Sequence, residues 1–247
     1  MELKDRIAVV TGGTTGIGRA SRELLEKEGA RVVTWDITDE ADVRCDVTDE
    51  SAIDHAIAWT IQNAGVPSLL VTSAGVSDQV PFVDSTVEGW DRVIGINLRG
   101  TFLASRAVAR AMVEAGLDGS FALIASINGI LADPQSLNYS VSKAGVIQMA
   151  KVLGNELGPQ GIRVNAIAPG PTETAMLARH LQNDAYRQTV IDTTALREVG
   201  TPELVAEVVV GIMKLDWVTG QVILADGGAT LVSARGAARN ALNAGPR

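Results

Sequence analysis

The sequence has few of the residues that build disulfides or metal sites. Cys45 is the single cysteine among 247 residues, so no disulfide can form within the chain. Because Cys45 precedes Asp46 in a predicted strand, we interpret it as a buried structural thiol and not as a nucleophile. The two histidines, His55 and His180, lack the spacing of metal ligands and are interpreted as ordinary surface or helix residues. We therefore expect no metal site.

Long apolar runs and an excess of positive charge are absent as well. No apolar stretch reaches the ~20 residues that span a bilayer, and residues 1–6 contain no cationic segment leading into an apolar one. We therefore expect no membrane association and a cytoplasmic location. The net charge of −8 argues against general nucleic-acid binding, which depends on neutralising phosphates.

Strand and helix patterns alternate along the chain. Short apolar, β-branched runs indicate strands near 6–11, 31–35, 42–46, 68–72, 120–125, 162–167 and 221–225. Helical patterns lie near 17–28, 50–63, 86–114, 136–157 and 202–214. This alternation predicts a doubly wound α/β fold, with a seven-stranded, mostly parallel sheet and helices on both faces. The length suits a single catalytic domain over residues 1–247.

The first predicted strand runs into a glycine-rich turn. Residues 12–18 read Gly-Gly-Thr-Thr-Gly-Ile-Gly, and a helical pattern, a second strand and Asp36 follow. Glycine lets the backbone approach a pyrophosphate, which the helix N-terminus attracts, and an aspartate after the second strand can bind the ribose hydroxyls of NAD. The glycines alone are equally consistent with a tight turn that binds nothing. The order of strand, turn, helix, strand and aspartate favours a Rossmann-type dinucleotide site.

A tyrosine, a lysine and a serine form a candidate acid–base site. Tyr139 and Lys143 stand four residues apart, with Ser126 thirteen residues upstream of Tyr139 at the end of an apolar run. On a helix this spacing puts the phenol and the ammonium on one face. An isolated phenol, with a pKa near ~10, is a poor acid or base at neutral pH, and a nearby positive charge lowers that pKa. We therefore predict that Lys143 lowers the pKa of Tyr139, while Ser126 holds a carbonyl or alcohol oxygen against the phenol.

Taken together, these motifs resemble those of the short-chain dehydrogenase/reductase family. The resemblance extends over about residues 4–228. The residues that carry it are Thr11-Gly12-x-x-x-Gly16-x-Gly18, Ser126, Tyr139-x-x-x-Lys143 and the segment around Asn97.

The resemblance implies a role for each of four catalytic residues. Tyr139 would be the acid/base, Ser126 would orient the substrate oxygen, and Lys143 would bind the nicotinamide ribose and lower the pKa of the tyrosine. Asn97 would help to anchor a water that continues the proton relay. The expected cofactor-binding residues are Gly12, Thr15, Gly16, Ile17, Gly18, Asp36, Asp46, Val47, Ser73, Ala74, Gly75, Tyr139, Lys143, Pro169, Gly170, Thr172 and Thr174.

One segment departs from the family pattern. The family usually has Asn-Asn-Ala-Gly after the fourth strand, and this chain has Thr72-Ser73-Ala74-Gly75. We expect the backbone contacts of Ala74 and Gly75 with adenosine to remain. Loss of the amide at Ser73 should cost about 1 kcal/mol of stability if a buried partner is left unpaired, with no loss of activity.

Two positions bear on the choice between NAD and NADP. Asp36 would repel a 2′-phosphate and accept a hydrogen bond from a free 2′-hydroxyl, although it is also explained as a solvated carboxylate at a strand end. In NADP-dependent relatives a basic residue often stands at the position of Thr15, which is neutral here, and Ile37 carries no charge either. We therefore expect NAD as the cofactor.

Three segments bear on substrate access and assembly. Residues 171–200 have a mixed helical pattern and are predicted to form a substrate lid, with a surface helical hairpin as the alternative. The C-terminal tail, residues 229–247, either crosses to a neighbouring subunit or is disordered. The apolar helices near 98–113 and 143–153 predict a homotetramer, as the family resemblance implies, or else pack only within the subunit.

These features predict the reversible oxidation of a small-molecule secondary alcohol by NAD. The pocket is expected to include Asn128, Gln135, Pro171 and Leu177, and steroid, hydroxy acid, sugar and cyclic ketone all remain open as substrates. One alternative is a 3-oxoacyl-thioester (acyl-carrier-protein) reductase, against which Asp36 and the acidic balance both count. A second alternative is a non-catalytic NAD-sensing regulator, against which the presence of all four catalytic residue types counts.

Overall fold

A computed structural model of the chain describes residues 1–232. Of the predicted C-terminal tail, residues 229–247, the part from 233 to 247 lies outside the described residues. Within residues 1–232, no helix is both long enough and apolar enough to cross a bilayer.

Seven parallel strands form one sheet with the order β3-β2-β1-β4-β5-β6-β7. The strands are β1 (Ile7–Thr11), β2 (Arg31–Asp36), β3 (Val43–Arg44), β4 (Leu69–Thr72), β5 (Gly119–Ile124), β6 (Ile162–Pro169) and β7 (Val222–Ala225). The predicted doubly wound α/β fold is therefore confirmed, and the sheet is parallel throughout. Every residue of β5 and β6 is buried, which explains the continuous apolar run of β5; β6 also buries two polar residues, Arg163 and Asn165.

Helices cover both faces of the sheet. They are α1 (Gly16–Lys27), α2 (Glu50–Asn63), α3 (Val87–Ile94), α4 (Gly100–Ala115), α5 (Leu137–Glu156), α6 (Ala175–Leu181), α7 (Asp184–Asp192) and α8 (Pro202–Lys214). Leu103 of α4 and Val146 of α5 share one buried cluster with Val9 of β1. Leu25 of α1 and Val209 of α8 belong to a second cluster. The core is therefore two apolar layers, one on each side of the sheet.

The order of the strands opens a crevice between β1 and β4. From β1 the chain runs outward to β2 and β3, and it then returns to β4 on the other side of β1. Loops that follow β1 and β4 leave the carboxyl edge of the sheet in opposite directions, which is where ligands bind in open α/β sheets. Gly12 and Ser73 are the first residues beyond these two strands.

The helix predicted over residues 86–114 is interrupted. A π-helical turn, Gly95–Arg99, separates α3 from α4, and the N–H of Gly100 donates to the carbonyl of Gly95. The apolar pattern did not reveal this turn, because one widened turn barely disturbs a helical period. Such turns occur frequently at functional sites, and this one carries Asn97.

The segment 171–200 contains α6 and α7 and leaves the sheet directly after β6. Its two ends meet in a parallel bridge between Thr172 and Gly200. This arrangement of two short helices on a closed base is compatible with both the lid and the hairpin, so the lid remains a prediction.

Candidate active site

Loops at the carboxyl edge of the sheet enclose a cleft of about 730 Å³. Most of the predicted site residues line it: Gly12, Thr15, Gly16, Ile17, Asp36, Asp46, Val47, Ser73, Ala74, Gly75, Ser126, Asn128, Tyr139, Lys143, Pro169, Gly170, Pro171, Thr172, Thr174 and Leu177. Gly18 and Asn97 are buried behind its wall. Gln135 is exposed outside it, so the expectation that Gln135 lines the substrate pocket is wrong. Its backbone has a φ of 65°, and its carbonyl accepts from the N–H of Val80, so this residue serves the turn before α5.

The glycine-rich turn brings backbone close to the cleft. Gly12 has a φ of +65°, and a Cβ there would lie 2.7 Å from the nitrogen of Ala74 across the crevice. A Cβ on Gly18 would lie 2.0 Å from the carbonyl oxygen of Gly12, so only glycine lets α1 approach the turn so closely. The N-cap residue of α1, Thr15, makes no side-chain capping bond. The first amides of α1 are therefore available to phosphate oxygens, and the turn fits a dinucleotide.

Asp36 is held at the end of β2 by a residue that the sequence analysis did not select. Its Oδ2 accepts from the hydroxyl of Thr14 at 2.7 Å and from the N–H of Thr14 at 3.2 Å. Its Oδ1 accepts from the N–H of Ile37 at 2.8 Å. Thr14 fills both acceptor positions of Oδ2, while Oδ1 retains one, so the positioned carboxylate can accept from one ribose hydroxyl, and from the second where that hydroxyl replaces a Thr14 contact.

Backbone hydrogen bonds continue past the ends of β1 and β4. Ser73 donates its N–H to the carbonyl of Thr11 at 3.1 Å, and Ala74 donates to the Thr11 hydroxyl at 3.3 Å. The main chain therefore joins the strands at the position where the family usually has asparagine. Beside it, the hydroxyl of Thr72 is buried without a hydrogen-bond partner among the described residues. The stability cost predicted for this segment remains a prediction.

Asn97 is fully buried and clamps three segments together. Its Oδ1 accepts from the N–H of Val76 at 2.8 Å, and its Nδ2 donates to the Val76 carbonyl at 2.9 Å and to the Ser142 hydroxyl at 3.0 Å. Ser142 in turn donates to the carbonyl of Tyr139 at 2.6 Å. The amide thus ties the segment after β4 to the turn of α5 that carries the tyrosine. Ser142 was missed from the sequence because its contribution depends on a partner 45 residues away.

Ser126, Tyr139 and Lys143 meet at the end of β5. The Nζ of Lys143 lies 5.7 Å from the ring centroid of Tyr139 and donates to the carbonyl of Ile124 at 2.8 Å. The Ser126 hydroxyl accepts from the N–H of Asn128 at 3.2 Å, which orients it at the start of the following turn. The predicted trio is therefore assembled on one wall of the cleft.

The pKa of Tyr139 shifts in the direction opposite to the prediction. Burial raises it, and the interaction with the side chain of Ser126 offsets only part of that rise. Burial also lowers the pKa of Lys143 to about 8, so near that pH its charge is only partly present. The sequence shows which groups are neighbours, but it does not show how far each is removed from water.

The segment after β6 closes the nicotinamide end of the predicted site. A Cβ on Gly170 would lie 2.7 Å from the Cα of Asp226, so only glycine fits between β6 and the loop after β7. Thr172 is buried and donates its hydroxyl to the Gly170 carbonyl at 2.9 Å. Thr174 lies close to Gly16, with its Cγ2 3.5 Å from where a Cβ of that glycine would stand. Thr174 thus lies beside the glycine-rich turn, and Pro169 lines the same cleft.

Several residues that line the cleft were missed or differently interpreted. His180, expected to be an ordinary surface or helix residue, lies in the last turn of α6 and also lines the cleft. Asp133 and Tyr186 line its substrate end and were not selected, because neither belongs to a recognisable motif. Cys45 is buried as expected, and burial, followed by Asp46 and then Asp49, raises its pKa to about 12.

Known proteins resemble this chain over almost its whole length. A family model described as “Enoyl-(Acyl carrier protein) reductase” matches residues 12–230. The 3-oxoacyl-[acyl-carrier-protein] reductase FabG of Thermotoga maritima is 35% identical over 246 residues, covering 92% of this chain and 99% of the relative. The 2,5-dichloro-2,5-cyclohexadiene-1,4-diol dehydrogenase of Sphingobium indicum is 32% identical over 248 residues, covering 94% and 99%.

Among solved structures, the aldohexose dehydrogenase of Thermoplasma acidophilum in ligand-free form superposes with a TM-score of 0.89 at 25% identity. That match covers 94% of this chain and 96% of the other. The relatives are oxidoreductases of one family, and their fold is the one described above. This chain is an oxidoreductase that belongs to the short-chain dehydrogenase/reductase family.

Proposed function

We propose that this enzyme catalyses the reversible oxidation of a secondary alcohol to a ketone with NAD. The observation that carries the proposal is that Ser126, Tyr139 and Lys143 line the same cleft as the glycine-rich turn and Asp36. A cradle for a dinucleotide and an acid–base group therefore share one cavity. Gly12, Asp36 and Lys143 would help to hold the dinucleotide, whose nicotinamide would supply an acceptor for the hydride of the alcohol carbon.

Residues of the chain itself accept, return and position the proton of the reacting hydroxyl. Tyr139 takes the hydroxyl proton of the substrate as the carbon–oxygen double bond forms, and it returns the proton in the reverse direction. Ser126 donates a hydrogen bond that holds the reacting oxygen. Lys143 favours the phenolate to the extent that it is charged, and Asn97 keeps the supporting segments in place through its clamp. Because burial raises the pKa of Tyr139, oxidation should be favoured at alkaline pH and ketone reduction at lower pH.

The preference for NAD over NADP rests on the charge around Asp36. The carboxylate is fixed by Thr14 and would oppose a 2′-phosphate. Arg44 is paired in register with Asp36 on the neighbouring strand, but its guanidinium lies 3.2 Å from the Oδ1 of Asp39. That ion pair is exposed and restrains Arg44 only weakly, so the support for NAD is that Arg44 is not among the residues that line the cleft.

Replacing Tyr139 with phenylalanine tests the proposal directly. Tyr139→Phe removes the proton acceptor and keeps the ring, so NADH binding should persist while turnover falls by ~10²–10⁴. NADH fluorescence titration checks binding, and absorbance of NADH over a panel of alcohols and ketones checks turnover. A variant that keeps near-native turnover would remove Tyr139 from the chemistry.

The 35% identity to the Thermotoga maritima reductase makes reduction of a 3-oxoacyl thioester the second candidate. The two candidates differ in cofactor and substrate, so one assay series separates them. If kcat/KM for acetoacetyl-CoA with NADPH exceeds that for the best alcohol with NAD by about tenfold or more, the thioester reductase is the better assignment. Binding of NAD without turnover of any substrate would instead favour the NAD-sensing regulator.

Two further predictions, a substrate lid and a homotetramer, are proposals as well. Residues 171–200 act as a lid over the substrate end of the cleft; support comes from Pro171, Thr174 and Leu177, which line the cleft from this segment. The chain assembles as a homotetramer; support comes from apolar side chains that α4 and α5 leave exposed, including Phe102 and Val152. Single exposed apolar residues are common on protein surfaces. A group of them on α4 and α5 is what an interface between subunits would cover.

A further inference from the structure

The substrate end of the cleft carries a group of polar side chains that the proton chemistry does not use. Asn128 and Asp133 lie in the loop between β5 and α5, and His180 and Tyr186 lie on α6 and α7. All four line the cleft, and we call them the rim cluster. Three elements, the loop after β5 and the helices α6 and α7, thus contribute polar groups to one cavity.

The rim cluster is joined by specific contacts. The Nδ2 of Asn128 donates to the Oδ2 of Asp133 at 3.0 Å. The rings of His180 and Tyr186 lie 5.7 Å apart between centroids, with a tilt of 45°. Asp133 and Tyr186 line the same cleft, and burial, followed by the charge of Asp133, raises the pKa of Tyr186. The phenol therefore keeps its proton at neutral pH and remains a hydrogen-bond donor.

The same loop connects the rim cluster to the catalytic serine. The N–H of Asn128 donates to the hydroxyl of Ser126, and Asp133 follows Ser126 by seven residues. A substrate whose reacting oxygen is held by Ser126 would therefore extend along this loop toward Asp133. The part of the substrate farthest from the reacting oxygen would then contact the rim cluster.

The charged residues that line the cleft limit the classes of substrate that the rim cluster can bind. Lys143 is buried beside the catalytic tyrosine and donates to the Ile124 carbonyl, so it is not available to a distal substrate group. Among the described residues that line the cleft there is no arginine and no other lysine. Asp133 therefore gives the substrate end a negative charge, which disfavours a carboxylate or phosphate on the substrate.

We infer that the rim cluster binds a second hydroxyl of the substrate, so that this enzyme prefers uncharged diols and sugar alcohols to simple alcohols and hydroxy acids. A hydroxyl both donates and accepts, and the cluster offers the carboxylate of Asp133 as acceptor and the phenol of Tyr186 as donor. An ammonium group would use only the acceptor, and a carboxylate only the donor. This inference rests on the proposed function, because the first hydroxyl is the one oxidised at Tyr139.

The test compares four classes of substrate on a cyclohexane ring. Initial rates with NAD give kcat/KM for the cyclohexanediol isomers, cyclohexanol, 4-hydroxycyclohexanecarboxylate and 4-aminocyclohexanol. The best diol should exceed cyclohexanol and 4-hydroxycyclohexanecarboxylate by about tenfold or more, as expected for one hydrogen bond to a charged group, and it should exceed 4-aminocyclohexanol by a smaller factor, because the ammonium also donates to the Asp133 carboxylate. In Asp133→Asn the ratio of diol to cyclohexanol should fall by about tenfold, mainly through a higher KM for the diol.

Glu198→Gln is the matched control, because Glu198 is an exposed carboxylate in the segment 171–200, which also carries Tyr186, and it is not among the residues that line the cleft. It should leave the ratio of diol to cyclohexanol at its original value. A ratio that is unchanged in Asp133→Asn, or an original enzyme that prefers the hydroxy acid or the amino alcohol, would overturn the inference.

A binding measurement separates this inference from the proposed function. If no alcohol of the panel is oxidised, the proposed function fails, and calorimetric titration of the cyclohexanediols in the presence of NAD then decides about the cluster. Affinity that falls by about tenfold in Asp133→Asn supports the hydroxyl site. Equal affinity of the original protein and the variant, or no detectable binding to either, rejects it.

Discussion

At the scale of single residues, the surroundings of a side chain decide what the side chain can do. Asp36 illustrates this, because Thr14 orients its carboxylate through both a backbone and a hydroxyl donor. Tyr139 and Lys143 illustrate it again, because burial raises the pKa of Tyr139 and lowers the pKa of Lys143. Both shifts favour the neutral form of the side chain. The catalytic pair is therefore less ionised in this structure than the same pair would be on an exposed helix.

Replacing Asp36 should change the choice of cofactor. In Asp36→Ser the anion that opposes a 2′-phosphate is gone, so the NAD-to-NADP ratio of kcat/KM should fall by about ten- to hundredfold. Glu40→Ser is the control, since Glu40 is an exposed carboxylate of the following loop and lies outside the cleft wall. Steady-state kinetics with both cofactors measure the ratio, and an unchanged ratio in Asp36→Ser would defeat the assignment of NAD.

Lys143 should make the stability of the fold depend on pH. Its pKa is about 8 in the folded chain against an ordinary 10.5, so between these values the unfolded chain binds more protons and stability rises with pH. Lys143→Met lacks this dependence. The original protein should therefore gain stability over the variant as the pH rises. From pH 8 to 9.5 the difference in their free energies of unfolding should change by about 2 kcal/mol, at about 1.36 kcal/mol per pH unit.

Urea unfolding at several pH values measures this difference. Lys151→Met is the control, because Lys151 is exposed on the same helix α5 and its removal also deletes one charge. A pH-independent difference between Lys143→Met and the original protein would mean that Lys143 keeps its ordinary proton affinity in the folded chain.

At the scale of elements, the segment 171–200 is attached to the sheet at few points. The bridge between Thr172 and Gly200 closes its base, and Glu173 pairs with Arg187 of α7. Both partners of this pair are partly exposed, and exposed ion pairs contribute only ~0.2–1 kcal/mol. The pair therefore joins α7 to the start of this segment through an interaction that is easily broken.

Loss of that pair should loosen the lid. Arg187→Gln removes the cation, so the amides of α7 should exchange about two- to fivefold faster, and KM for the alcohol should rise by a similar factor with little change in kcat. Hydrogen exchange and steady-state kinetics measure the two effects. Arg179→Gln, which alters an exposed arginine of α6, is the control; an equal effect there would show that any charge change in the segment suffices.

At the scale of the whole molecule, the arrangement of the helices leaves apolar surface on two of them. Both α4 and α5 pack on the sheet through buried residues, yet Phe102 and Val113 of α4 and Val141 and Val152 of α5 are exposed by more than a third. Intramolecular packing does not account for these side chains. An interface between copies of the chain would remove them from water.

If the chain forms the proposed tetramer, one substitution on this surface should lower the mass of the assembly in solution. Val152→Glu places a charge on this surface, so the assembly should dissociate to dimers or monomers in sedimentation velocity at micromolar concentration. Val83→Glu is the control, because Val83 is an exposed apolar residue outside α4 and α5. A single mass for the original protein and both variants would exclude this surface as the interface.

The residues that could be predicted from the sequence are those whose function depends on local geometry. The glycines of residues 12–18 adopt their turn because of backbone sterics, and Tyr139 and Lys143 share a helix face because of helical spacing. Alternating strand and helix patterns likewise determined the fold class, since each short apolar run has to be buried in a sheet. These are properties of neighbouring residues, and the sequence by itself determined them.

Only the tertiary structure decided which distant residues meet and how dry their surroundings are. Asp133 and Tyr186 line one cleft although they belong to the loop after β5 and to α7, and Ser142 matters because Asn97 reaches it from the π-helical turn. Burial reversed the expected direction of the Tyr139 pKa shift, and a turn placed Gln135 outside the pocket. Desolvation and long-range contact depend on how the whole chain packs, and the spacing of residues along the sequence carries no information about either.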